Sequence, residues 1–225
     1  MTTAEDYGAE AVMRRLAIVF AAFEKALDAT PVIRRLNGGR FELAHYQAFL
    51  RAHRQQVKEG ALWMARAASN LSVEHLELRS TLLRHAVAEH RDFRLLEADY
   101  VATGGDPDDI RNAPMTVGSE ALSAWMYHEA SKPDPFGLLG AMWIIEGLGA
   151  FKAAEWGRAV AERLALPPEA VRFLAYHGEN DADHIGEFRH MLDLVLPDAA
   201  TAARIVRVAE VTARLYVLQI EDVLS

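Results

Sequence analysis

Apolar residues recur at helical spacing along almost the whole chain, and this pattern limits the fold more than any other feature. Glycine and proline gather instead in short breaks: Asn37-Gly38-Gly39, Thr103 to Pro107, Lys132 to Gly137, Leu166 to Pro168, and Pro197. Long helices are expected between them, over roughly 4–29, 42–70, 72–103, 117–130, 136–164, 168–195 and 198–224. No segment alternates like a strand. Each helix carries an apolar stripe that its neighbours must cover, so the economical arrangement is one all-α domain, residues 1–225, built as a bundle of about seven helices. The last helix, with Ala202, Ile205, Ala209, Val211, Leu215 and Leu218 on one stripe and Arg204, Arg207 and Glu210 off it, reads as a packing helix without chemistry.

Composition narrows the chemistry. The 225 residues include no cysteine, which removes disulfides, thiolate nucleophiles, iron–sulfur clusters and thiolate ligands together. Any metal must then be held by nitrogen and oxygen. The formal charge of −8, from 24 Lys plus Arg against 32 Asp plus Glu, opposes binding to a phosphate backbone, so no nucleic-acid partner is expected. No apolar run approaches the roughly 20 residues that span a bilayer, and MTTAEDYGAE is acidic where a secretory signal is basic. No membrane partner and a cytoplasmic location are the expectation.

Three stretches carry ionisable groups in a pattern that points to a metal. In AYHGENDADHIGEF, His177, Asp181 and His184 stand at i, i+4 and i+7. At about 100° per residue they lie within about 60° of one another on a helix face. Tyr176, Ile185 and Phe188 flank them, and on a partly buried face ionisable groups are costly unless a metal or partner satisfies them. In AMWIIEGLGAF, Glu146 stands among Met142, Trp143, Ile145, Leu148 and Phe151, with small Gly147 and Gly149 beside it. A dication is one way to compensate such a carboxylate. In LLRHAVAEHRDFRLLEADY, Glu89 and Asp92 share a face with His85, bounded by Leu82, Phe93 and Leu96. Together Glu89, Asp92, Glu146, His177, Asp181 and His184 offer four carboxylates and two imidazoles. Hard oxygen donors with imidazole, contributed by facing helices, are what a dinuclear non-heme iron or manganese site needs, and four carboxylates balance two divalent ions.

With these motifs the sequence resembles the heme-oxygenase-like diiron oxidases, a family related in fold to the thiaminase II and pyrroloquinoline-quinone synthase groups. The resemblance covers most of the chain. His177, Asp181 and His184 match the family's final ligand helix, and Glu146 its single middle glutamate. The segment at Glu89 looks like the glutamate-x-x-histidine helix, followed by Asp99, Tyr100, Gly104 and Gly105 as its Asp-Tyr and Gly-rich turn. The resemblance implies a heme-oxygenase-like bundle, two Fe(II) ions with Mn as a substitute, and O2-dependent oxidation of a small amino acid, amine or fatty acid. N-oxygenation, desaturation or carbon–carbon cleavage are the implied reactions. O2, a small-molecule substrate, an external electron donor and a second copy of the chain in a homodimer are the expected partners.

One position departs from the family pattern: Asp92 stands where histidine would, with His85 and His90 ranked behind it as substitutes. Heme is not expected, because the fold's heme-binding relatives use a histidine of the first helix and residues 4–29 contain none. Nor is flavin or NAD expected, since no fingerprint for either is present. The cysteine nucleophile of thiaminase II relatives is missing too. Trp143, beside Glu146, is the first candidate for a substrate contact.

The plain alternatives are definite. His177, Asp181 and His184 could be hydrogen-bonded to one another without a metal. Glu146 could pair with Arg54 or Arg94. Glu89 and Asp92, next to Arg91 and Arg94, could form a solvated face. His45, His53, His75, His128 and His190 read as surface or packing residues, and Lys152 as a lysine reaching for solvent.

Overall fold

Helical periodicity is realised throughout: among the residues described by the computed structural model, 8–195 and 198–224 with the side chains of 180–186 excepted, every regular element is helical. The α-helices are α1 (Ala9–Asp28), α2 (Pro31–Asn37), α3 (Leu43–Asn70), α4 (Leu76–Glu89), α5 (Phe93–Ala102), α6 (Pro107–Asn112), α7 (Val117–Ala130), α8 (Leu138–Leu148), α9 (Ala154–Leu164), α10 (Arg172–Val195) and α11 (Ala199–Glu221). Short 3₁₀ turns cover Val73–His75, Pro168–Ala170 and Asp222–Leu224.

The all-α expectation holds, but seven helices become eleven among the described residues, for local and tertiary reasons. Pro31 and Pro107 stand in the first turns of the two short helices α2 and α6, where a missing N–H costs nothing. Asp106 caps the second by accepting from the Asp108 N–H at 2.8 Å. The stretch expected as one helix over 72–103 breaks at His90–Asp92 although it holds neither glycine nor proline there. The stretch over 136–164 is interrupted by one π turn, Gly149–Ala153, directly after the helix that carries Glu146. Such turns insert an extra residue and are common at functional sites.

Two helices organise the packing. α11 lies against α1, α7 and α8, and buries residues all along its length, from Ala202 and Ile205 to Tyr216 and Ile220. Gly140 lets α8 approach it so closely that a Cβ there would collide with the Ile205 carbonyl. On the other side α3 packs against α4, α5 and α7. α10 closes the bundle against α8, α9 and the π turn, where Gly178 rests on the backbone and Cβ of Ala154. His177, one residue earlier, lines the same cavity as Glu146. No helix of the described residues is long and apolar enough to cross a membrane.

Candidate metal centre

Four elements converge on one buried cluster. α4 contributes His85 and Glu89 one turn apart; the bend after it contributes Asp92; α8 contributes Glu146; α10 contributes His177. His85 Nε2 donates to Glu146 Oε1 at 3.1 Å and lies 3.4 Å from Glu89 Oε1. His177 Nε2 lies 3.5 Å from Asp92 Oδ2. Donor atoms of His85, Glu89 and Glu146 all fall within 4.8 Å of one another, and so do those of Glu89, Asp92 and His177. Glu89 therefore belongs to both groups. His85 and Glu146 are buried, while the Glu89 side chain keeps 19% of its exposure.

The bend at His90–Asp92 explains how Asp92 joins in. In a straight helix it would follow Glu89 on the same stripe; instead it occupies the residue before α5, 8% exposed, and turns toward His177. Asp99, fully buried on α5, then fixes α10: its Oδ2 accepts the Phe173 N–H at 2.9 Å, one turn before His177. Burial pushes the Asp99 carboxyl up to about 6, against the lowering effect of Phe173 N–H and Arg172. Burial alone would lower the His85 imidazole, but its bonds to Glu146 and Glu89 outweigh that and raise it to about 10. For His53, burial, helped by neighbouring His177, pushes the imidazole down to about 3.

Beside the cluster lies a cavity of about 80 Å³ that includes Glu89, Glu146 and His177 in its wall. One stripe of α3, Phe49, His53, Gln56, Gly60 and Trp63, forms the opposite side. A smaller apolar annex of about 20 Å³ adjoins it, sharing Phe49, Trp156 and Leu174.

Several sequence expectations meet the geometry here. Glu89, Asp92, Glu146 and His177 come together. Asp181 and His184 follow on α10, but their side chains lie outside the described residues. His85, ranked behind Asp92, stands in the cluster alongside it; the i, i+4 spacing to Glu89 was the available signal. His90 is exposed and hydrogen-bonds to Val87 O at 2.6 Å and to Arg91. Arg54 pairs with Glu97 at 2.7 Å, not with Glu146. Trp143 does not line the cavity: its indole N–H donates to Leu16 O at 3.2 Å and its ring packs on Phe188. Trp63 and Trp156 take that place. His53, read as a packing residue, lines the cavity too; its place on the α3 stripe was the missed signal. Lys152 pairs with Glu24 at 2.6 Å.

Comparison with known proteins agrees with this picture. A domain of unknown function with a heme oxygenase-like fold from Shewanella denitrificans OS217 superposes with a TM-score of 0.84 at 22% identity, over 92% of this chain and 89% of that one. A TenA homologue from Pseudomonas syringae pv. tomato DC3000 superposes with a TM-score of 0.78 at 16% identity, over 99% and 96%. A TenA-like protein from Sulfolobus solfataricus P2 gives 0.62 at 14% identity, over 96% and 94%. These likenesses establish the fold. No curated protein matches the sequence significantly. The iron-containing redox enzyme family matches residues 47–217, a span that holds His85, Glu89, Asp92, Glu146 and His177. With its heme-oxygenase-like bundle and its buried nitrogen and oxygen donors, the chain belongs to the family of iron-containing redox enzymes.

Proposed function

We propose that the chain is a non-heme diiron enzyme that uses O2 to oxidise a small organic molecule. The observation that carries this reading is Glu89, shared between two groups of oxygen and nitrogen donors. The donor set fits iron: it is thiolate-free, mixed carboxylate and imidazole, and largely buried. His85, Glu89 and Glu146 would hold one ion, and Glu89, Asp92 and His177 the other. Asp181 and His184 would complete the set from the same helix as His177. Iron supplies O2 activation and electron transfer, which side chains alone do not.

The chain's own part is positional. Asp99 holds the first turn of α10, and so the place of His177. Glu146 and Glu89 orient the His85 ring through Nε2, the atom that would have to lose its proton to hold a metal. Phe49 and Trp63 on the α3 wall would shield the substrate side from bulk water. An external electron donor, a cytoplasmic setting and a homodimer belong to the same proposal.

A second reading has one observation in its favour. His85 between Glu146 and Glu89 forms an ion-paired network that raises the imidazole to about 10, which a metal-free acid–base enzyme of this fold would also contain. Metal content separates the two. Protein produced in iron-supplemented medium is expected to carry about two iron equivalents and to consume O2 when reduced in the presence of substrate. Less than about half an equivalent, with no uptake on anaerobic titration, would establish the metal-free reading instead.

A further inference from the structure

α3 carries a glycine that neither its backbone nor its neighbours require. Gly60 lies in the interior of this 28-residue helix, where glycine weakens the helix relative to alanine because it gains more backbone freedom on unfolding. Other helical glycines have a packing reason. A Cβ at Gly140 would collide with the Ile205 carbonyl, one at Gly147 would lie 2.8 Å from the Phe20 ring, and one at Gly178 would press on Ala154. Gly104 has open space around it, but its φ of +84° favours glycine. At Gly60 a Cβ would meet nothing within 4 Å, and the backbone is ordinary helix. Gly60 also lines the cavity, whose wall is unevenly exposed. Val57, Gly60, Glu89, Ile145 and His177 are partly exposed, whereas Phe49, His53, Trp63, Ala153, Trp156 and Tyr216 are buried. The partly exposed residues mark the edge where the cavity meets solvent.

We propose that small organic molecules enter the cavity through an opening at Gly60, and that the missing side chain is what leaves this opening wide enough for them. Glu89 and His177 stand at the same edge, so a molecule entering there meets the donor cluster before the buried end formed by Phe49, Trp156 and Tyr216. Alanine at position 60 would add one carbon to open space, while leucine or methionine would reach across it. Access to a buried site thus explains a glycine that weakens its own helix. The inference rests on the oxidase reading for what passes through the opening, but not for the opening itself.

The chain has no cysteine, so one introduced thiol reports on one place. Ala153 is buried and lines the cavity, and Ala153→Cys adds a single sulfur there. The full-length chain with Ala153→Cys is treated with methyl methanethiosulfonate, both as purified and after chelator treatment. The thiolate attacks the sulfenyl sulfur, a disulfide forms and methanesulfinate leaves; mass spectrometry follows the rate. Adding Gly60→Leu is expected to slow labelling by at least about tenfold, whereas adding Gly60→Ala keeps it within about twofold. Alanine and leucine are both good helix formers, so the two variants remove the weakness of glycine alike and differ mainly in the room they fill. Gly60→Met, more flexible, serves as the second blocking variant if Gly60→Leu disturbs the fold by circular dichroism. Leu62→Cys, 55% exposed on the same helix, is expected to label equally with and without the blocking residue. An unchanged rate at position 153 with the blocking residue would overturn the proposal, as would equal slowing by Gly60→Ala or an equal loss at position 62. A chain that takes up no iron yet shows the expected pattern would defeat the oxidase reading and leave the opening standing.

Discussion

Glu89 differs from the other carboxylates of the cluster because it faces both donor groups. Removing Glu146 would take one donor from the group with His85, and removing Asp92 one from the group with His177. Removing Glu89 depletes both. Glu89→Ala is therefore expected to fall below about half an iron per chain, whereas Glu146→Ala retains about one. Iron analysis of the purified variants, with circular dichroism as the check on folding, measures this directly. Equal losses in the two variants would mean that Glu89 is not shared. Such a role was only half legible in the sequence. Glu89 stood out by its spacing to Asp92, but the sharing depends on Glu146 and His177, which lie far along the chain.

At the scale of elements, the tie between α5 and α10 sets where the cluster forms. Asp99 is fully buried, accepts the Phe173 N–H and sits 3.6 Å from half-exposed Arg172. Its carboxyl is raised to about 6, above its ordinary value, so the folded chain holds the proton more tightly than the unfolded one. The stability this contributes is fully present below about pH 4 and is lost as pH rises through about 6, on the order of 2–3 kcal/mol across the window. Asp99→Asn keeps an oxygen for Phe173 and has no charge to desolvate. Its stability relative to the parent is expected to improve by about 1–2 kcal/mol between pH 4.5 and pH 8, read from urea unfolding at the two pH values. A constant difference would show that Asp99 is not desolvated as described. The neighbouring π turn and the bend at His90–Asp92 belong to the same scale. Neither has a glycine or proline signature that a reading of local propensity could use, except Gly149 at the start of the π turn.

For the whole molecule, the cluster joins α4, the bend before α5, α8 and α10, which come from three distant parts of the chain. Ions bound there stabilise the folded state by mass action, since the unfolded chain cannot bring the donors together. Ferrous ion at about 100 times its dissociation constant adds about 2.7 kcal/mol for each of two sites, and a chain of this length gains about 2–4 °C per kcal/mol. Anaerobic thermal denaturation should therefore show the melting temperature rising by about 10–20 °C on full loading and falling back with a chelator. No change would indicate that the cluster binds no iron in the folded state.

Helical periodicity is carried by residues three and four apart, and so the all-α class and the span of α3, α7 and α11 could be read from the sequence. Residue type and spacing likewise marked Glu89, Asp92, Glu146 and His177, and the absence of cysteine restricted the donors to nitrogen and oxygen. What the local pattern could not carry was decided by packing between distant segments. The bend that turns Asp92 inward, the place of His85 between two carboxylates, and the choice of Trp63 and Trp156 over Trp143 for the cavity wall all arise there. Each depends on which faces meet, and that is determined only when α3, α8 and α10 bury their stripes against one another.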